Sequence, residues 1–167
     1  MYLSSFLIVT ITPVNPLLGA SDIPTLHATV QNTAQHPLTI LTYNSLLDNA
    51  AGVLGIIHVT DTSTGEEVPS DVVQFQRVWP PPKDAFVEIA PDSQIEVDIP
   101  LRTHKLEAGK KYDVVAKWTW QGLWEGSVDA AMQVLSTGGT AAEAGNGATA
   151  EVKMDGVFEV KAEVKAP

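Results

Sequence analysis

Gln94-Ile95-Glu96-Val97-Asp98-Ile99-Pro100-Leu101 is the stretch whose reading decides the fold. Apolar and polar residues alternate along it with a period of two. An extended chain therefore carries Ile95, Val97 and Ile99 on one face and Gln94, Glu96 and Asp98 on the other. A helix would scatter the same residues around its circumference. One apolar and one wetted face is the pattern of an antiparallel sheet packed on a single side.

The same period recurs on both sides of this stretch. Upstream, Leu26, Ala28 and Val30 alternate with His27, Thr29 and Gln31 before the turn Asn32-Thr33-Ala34-Gln35-His36-Pro37. Residues 38–43 read as a second strand, and residues 55–60 as a third that ends in Asp61-Thr62-Ser63-Thr64-Gly65. Residues 72–78 read as a fourth. It runs into Trp79-Pro80-Pro81-Pro82, where the missing amide donors rule out a central strand. Phe86 opens a strand that Ala90-Pro91-Asp92-Ser93 joins to residues 94–101, and residues 111–120 form another after the Glu107-Ala108-Gly109-Lys110 turn. Short strands about 10 residues apart, separated by Gly and Pro turns, predict one all-β domain, an antiparallel immunoglobulin-like β-sandwich over residues 6–164. Leu26, Val30, Ile40, Ile57, Val73, Phe75, Phe86, Ile95, Val97, Ile99, Val114 and Trp118 are the expected core.

The two ends of the chain are less regular. Residues 1–5 are expected to be a tail, followed by an edge strand, Phe6-Leu7-Ile8-Val9-Thr10-Ile11-Thr12, stopped by Pro13. Residues 1–20 also have the apolar character of a signal peptide, but they lack a basic start and are broken by Pro13, Asn15 and Pro16, so the strand is preferred. Residues 127–135 fit a strand or a short helix. Residues 136–150, rich in Gly, Ala and Thr, read as a flexible loop. Asp155-Gly156 lies between two apolar-patterned runs, which predicts a closing hairpin.

Composition limits what such a domain can do. At 167 residues the chain buries a full core without staples, and 44% hydrophobic residues exclude disorder throughout. A net charge of −10 argues against a nucleic-acid partner, because phosphates are repelled. Cysteine is absent, which removes disulfides and thiolate chemistry. No stretch reaches the roughly 18 apolar residues of a membrane span.

Catalysis has little support in these residues. The histidines are His27, His36, His58 and His104; no two are four residues apart, and none precedes a glutamate, so a His-Glu-x-x-His zinc helix is excluded. No serine sits in a nucleophile elbow. Gly138-Gly139 is not followed by lysine, so no phosphate loop is present. Asp61, Glu66, Glu67 and Asp71 form an acidic turn, read either as a weak calcium site or as a solvated turn. The expectation is a non-enzyme with no cofactor and no metal. Trp118, Trp120 and Trp124 cluster near a strand end; Trp118 and Trp120 share a face, so the three are a candidate stacking platform for sugars. The competing reading is that they pack into the sandwich.

Several segments, taken in order, resemble the N-terminal β-domain of fungal deuterolysin-like zinc metalloendopeptidases, the peptidyl-lysine type included. They are Leu26-His27-Ala28-Thr29-Val30-Gln31-Asn32-Thr33, Leu38-Thr39-Ile40-Leu41-Thr42-Tyr43-Asn44-Ser45-Leu46-Leu47-Asp48, Gly65-Glu66-Glu67-Val68-Pro69, Val72-Val73-Gln74-Phe75-Gln76-Arg77 and Asp84-Ala85-Phe86-Val87-Glu88-Ile89-Ala90-Pro91-Asp92-Ser93. The likeness covers about half the chain and stops after Trp118. It implies a propeptide-like domain without its protease, acting as inhibitor or folding partner of a secreted zinc endopeptidase. It also implies secretion, an intracellular location being the alternative. A sandwich can act on a protease by laying a loop over the cleft. The candidate contacts are Asn44, Asp48 and Asn49 on one loop and Trp79, Pro80, Pro81, Pro82, Lys83 and Asp84 on another. A carbohydrate-binding module using the three tryptophans is the alternative function.

Overall fold

The computed structural model of the chain describes residues 3–136 and 148–162. Alternating aliphatic residues place a first sheet around β3 (Thr25–Asn32), where every second residue is buried. β3 pairs antiparallel with β1 (Leu7–Pro13) on one side and β7 (Gln94–Pro100) on the other, in the order β1-β3-β7. The decisive stretch behaves as its pattern dictates: Ile99 is buried, Ile95 and Val97 are half-buried, and Gln94, Glu96 and Asp98 are exposed. Ile95 and Val97 are only half-covered because β7 lies at the edge of its sheet.

The second sheet is built on β8 (Lys111–Thr119), flanked by β5 (Ile57–Asp61) on one edge. Its other edge receives β10 (Thr149–Lys153) and then β11 (Phe158–Val160), both antiparallel to β8. The two-residue β2 (Leu17–Leu18) adds in parallel to β11, so the N-terminal chain starts in one sheet and finishes in the other. The inward residues of both sheets form one core, including Ile11, Leu26, Val30, Val59, Val114 and Phe158, each at most 1% exposed. Each such side chain contributes about 1.5–3 kcal/mol of transfer free energy.

A third sheet caps one end of the sandwich. Its centre is β4 (Leu38–Leu41), entirely buried, with β6 (Phe86–Ile89) and β9 (Leu123–Glu125) at its sides. The helix α1 (Val128–Ser136) closes this end and encloses a second small core of Leu41, Ala85, Phe86, Trp124 and Ala131. Of the two readings of residues 127–135, the helix is the one adopted.

Several expectations are corrected. Residues 72–78 form no strand; Pro69 and Pro80 flank them, and the Val73 N–H donates to the Val53 carbonyl at 2.7 Å, outside any strand, so no ladder forms. Val73 and Phe75 are therefore 43% and 47% exposed instead of in the core. β6 and β7 do not pair with each other, because each joins a different sheet. Asp155-Gly156 is not a hairpin turn. β10 and β11 run the same way along one edge of β8, so the pair is an interruption in a single strand. There Gly156 takes φ +111° and the Asp155 N–H crosses to the Ile11 carbonyl at 2.8 Å. Residues 3–6 make one turn of 3-10 helix where a tail was expected. Within the expected loop 136–150, Ser136 ends α1 and Thr149 opens β10, while 137–147 lie outside the described residues.

Candidate protein-binding surface

The two candidate loops are adjacent because β4 and β6 pair. Leu41 at the end of β4 faces Phe86 at the start of β6, so the chain leaving one strand runs beside the chain entering the other. Thr42 fastens the junction, donating to the Ala85 carbonyl through its N–H at 2.9 Å and its hydroxyl at 3.0 Å.

Asp48 organises residues 42–50. It is buried, and its carboxylate accepts the Asn44 N–H at 2.8 Å and the Ala50 N–H at 2.9 Å. Asn44 has φ +57°, a conformation asparagine tolerates better than most residues. The same carboxylate meets the Arg77 guanidinium at 2.5 Å, which ties the second segment to the first. Arg77 also stacks on Tyr43 and Phe75, at 5.1 and 5.0 Å from the ring centres, while its Nε is enclosed without a hydrogen-bond partner. The Tyr43 hydroxyl donates to the Val78 carbonyl at 3.1 Å. Pinned in this way, the segment turns Val72, Val73, Phe75, Val78 and Trp79 outward. Trp79 is 63% exposed. Pro81 is buried, whereas Pro80, Pro82, Lys83 and Asp84 are exposed. Between the loops lies a cleft of about 350 Å³ lined by Tyr43, Asn49, Phe75, Arg77, Pro82 and Asp84 among others.

The tryptophan platform is overturned. Trp118, Trp120 and Trp124 are 4%, 2% and 6% exposed. Trp118 and Trp120 meet edge-on in the main core with centroids 5.3 Å apart, and Trp124 lies against Phe86 in the second core. No ring face is free to stack on a sugar. The signal that assigns the first two was present in the sequence: Tyr112, Val114, Ala116, Trp118 and Trp120 share one parity, and that parity faces inward.

Asp61, Glu67, His27 and His104 each have a partner within the fold. Asp61 in the acidic turn accepts from Ser63 and Lys110, and its carboxyl is held below the usual range, first by the Ser63 hydroxyl and then by the Ser63 N–H. Glu67 pairs with His58 at 2.5 Å. Among the described residues no group of three or more His, Asp or Glu side chains is placed to hold a metal ion. His27 bonds Asp98 at 2.7 Å and Glu96 at 3.3 Å across β3 and β7, and these two bonds raise its pKa above 6.5. His104 is buried, donates weakly to the Ile57 carbonyl, and is pushed below 6.5 by desolvation. None of the described helices is long and apolar enough to cross a membrane.

This topology agrees with comparison to known proteins, since a model of the immunoglobulin-like domain matches residues 19–155. The chain belongs to the immunoglobulin-like domain family. An "uncharacterized secreted protein" of Arthroderma benhamiae is 39% identical to this immunoglobulin-like chain over 121 residues. That match takes in 70% of the chain and 61% of the relative, so the chain spans about three fifths of the relative's length. Nothing in either match connects the domain with deuterolysin-like propeptides.

Proposed function

We propose that this immunoglobulin-like domain is a non-catalytic protein-binding module that docks through residues 72–84. The carrying observation is where apolar surface is left uncovered. Five of the ten exposed large hydrophobic residues among the described residues fall within eight consecutive positions, Val72 to Trp79. Clustered exposed apolar surface marks interaction sites, whereas scattered single residues do not. Between residues 72 and 82 the only charge is Arg77, which Asp48 already neutralises, so an apolar contact there meets little repulsion despite the net charge of −10. Trp79 at the crest has the character of a binding hot spot.

The partner class follows from the sequence resemblance and from the word "secreted" in the relative's name. It is a secreted zinc endopeptidase of the deuterolysin-like kind, which the domain inhibits or helps to fold. The test is the activity of a mature endopeptidase of that kind with the domain in excess, beside its refolding yield with and without the domain. Reduced activity or improved yield is expected. No effect on either, with no complex on size exclusion, would remove this partner.

A further inference from the structure

We infer that the cleft between the 42–50 loop and the proline loop receives a lysine or arginine side chain of the protein partner. This rests on the docking reading and names its anchoring contact. The cleft, at about 350 Å³, is small. Ligand pockets run from about 300 to 1,000 Å³, so it suits one long side chain better than a large ligand. Phe75, Pro82, Ala85 and Tyr43 give it apolar and aromatic walls, against which an aliphatic stem packs.

The charges select a cation. Asp48 and Arg77 neutralise each other, and the Asp48 carboxylate is further occupied by two loop N–H groups. Asp84 is different: it is exposed at the cleft and has no hydrogen bond or ion pair among the described residues. The neighbouring Lys83 leans the other way, to Asp129 at 3.6 Å. One uncompensated negative charge therefore remains at the cleft, on a chain whose net charge is −10. An ammonium or guanidinium there gains the Asp84 carboxylate while its stem packs along the apolar walls. An acidic side chain would meet Asp84 unscreened and find Arg77 already engaged. The walls hold the stem and Asp84 holds the charge.

The probe is acetyl-Gly-Lys-Gly-amide, with norleucine and glutamate in place of lysine as controls, read from amide chemical shifts of the labelled full chain. The lysine peptide is expected to give saturable shifts at Asn49, Phe75, Ala85 and Phe86, and the controls none. Asp84→Asn is isosteric at an exposed turn, so an unchanged melting curve will show that it folds. It should weaken lysine-peptide binding about tenfold, the loss of one charge-assisted hydrogen bond. Equal binding of the norleucine peptide, shifts spread without saturation over the acidic surface, or indifference to Asp84→Asn would each overturn the inference. The outcomes separate it from the docking reading. Lysine-peptide binding in a chain that forms no protease complex leaves the cleft anchor standing and removes the partner. A protease complex indifferent to Asp84→Asn does the reverse.

Discussion

The clamp between Asp48 and Arg77 holds the proposed binding segment to the body of the domain, and its worth can be measured. Asp48→Ala removes one acceptor from three donors: the Asn44 N–H, the Ala50 N–H and the Arg77 guanidinium. The Asp48 side chain is 4% exposed and that of Arg77 is 25% exposed. Breaking a fully buried pair by deleting one partner costs about 3–5 kcal/mol. Here a quarter of the arginine already meets water and the two N–H groups lie in a surface loop, so about 2–3 kcal/mol is expected. For a chain of this size that lowers the melting temperature by about 4–12 °C. Asp48→Asn keeps one oxygen for the loop amides and should cost about 1–2 kcal/mol. Arg77→Met keeps the stem between Tyr43 and Phe75 and should cost about 1 kcal/mol. Urea unfolding of the single and double variants, followed by circular dichroism, gives the coupling, expected at about 1–2 kcal/mol. A coupling below about 0.3 kcal/mol would mean that the two segments are not held together by this pair.

Other expectations follow from single observations. Trp79 is the one exposed indole of four, so Trp79→Phe should abolish most iodide quenching of the native chain's fluorescence while leaving the buried signal. An added Cβ at Gly52 would lie 2.5 Å from the Pro100 carbonyl oxygen, so Gly52→Ala should cost about 1–3 kcal/mol in urea unfolding by overpacking residues 51–53 against β7. His104 is buried with its pKa lowered below 6.5, so on acidification the unfolded chain takes up this proton before the folded one does. The His104 contribution to stability should therefore fall as pH drops below about 6.5 and level off below the folded pKa, opposite in sign to that of His27; the difference between the native chain and His104→Gln, which keeps a donor for the Ile57 carbonyl, isolates it in unfolding midpoints measured across pH.

Much of the sandwich was legible because burial on one face writes a period of two into the chain. β3, β5, β7 and β8 all carry that period, and the two sheets follow from them. Residues 72–78 carry it too, in Val73, Gln74, Phe75 and Gln76, yet they find no neighbouring strand. Alternation reports what a strand needs, not whether an edge is available to it. Asp155-Gly156 failed for a related reason: a positive φ at glycine suits a hairpin and a strand interruption equally, and only the distant pairing with β8 separates them. The candidate loops were each visible as breaks in the pattern. Their juxtaposition was not, because it depends on the register of Leu41 against Phe86, which no local signal encodes. The Asp48–Arg77 pair and the cleft beside it follow from that register.

The most direct test of the binding surface is hydrogen-exchange footprinting of the full chain, alone and with a deuterolysin-like endopeptidase in its mature form. Slowed exchange is expected in residues 72–84 and 42–50. No change is expected on the outer face of β3 and β7, where His27 pairs with Glu96 and Asp98. Trp79→Ala should weaken the complex about thirtyfold or more, as truncation of a central aromatic anchor does. Protection on the β3 and β7 face with residues 72–84 unchanged would contradict the account, as would a complex that Trp79→Ala leaves intact.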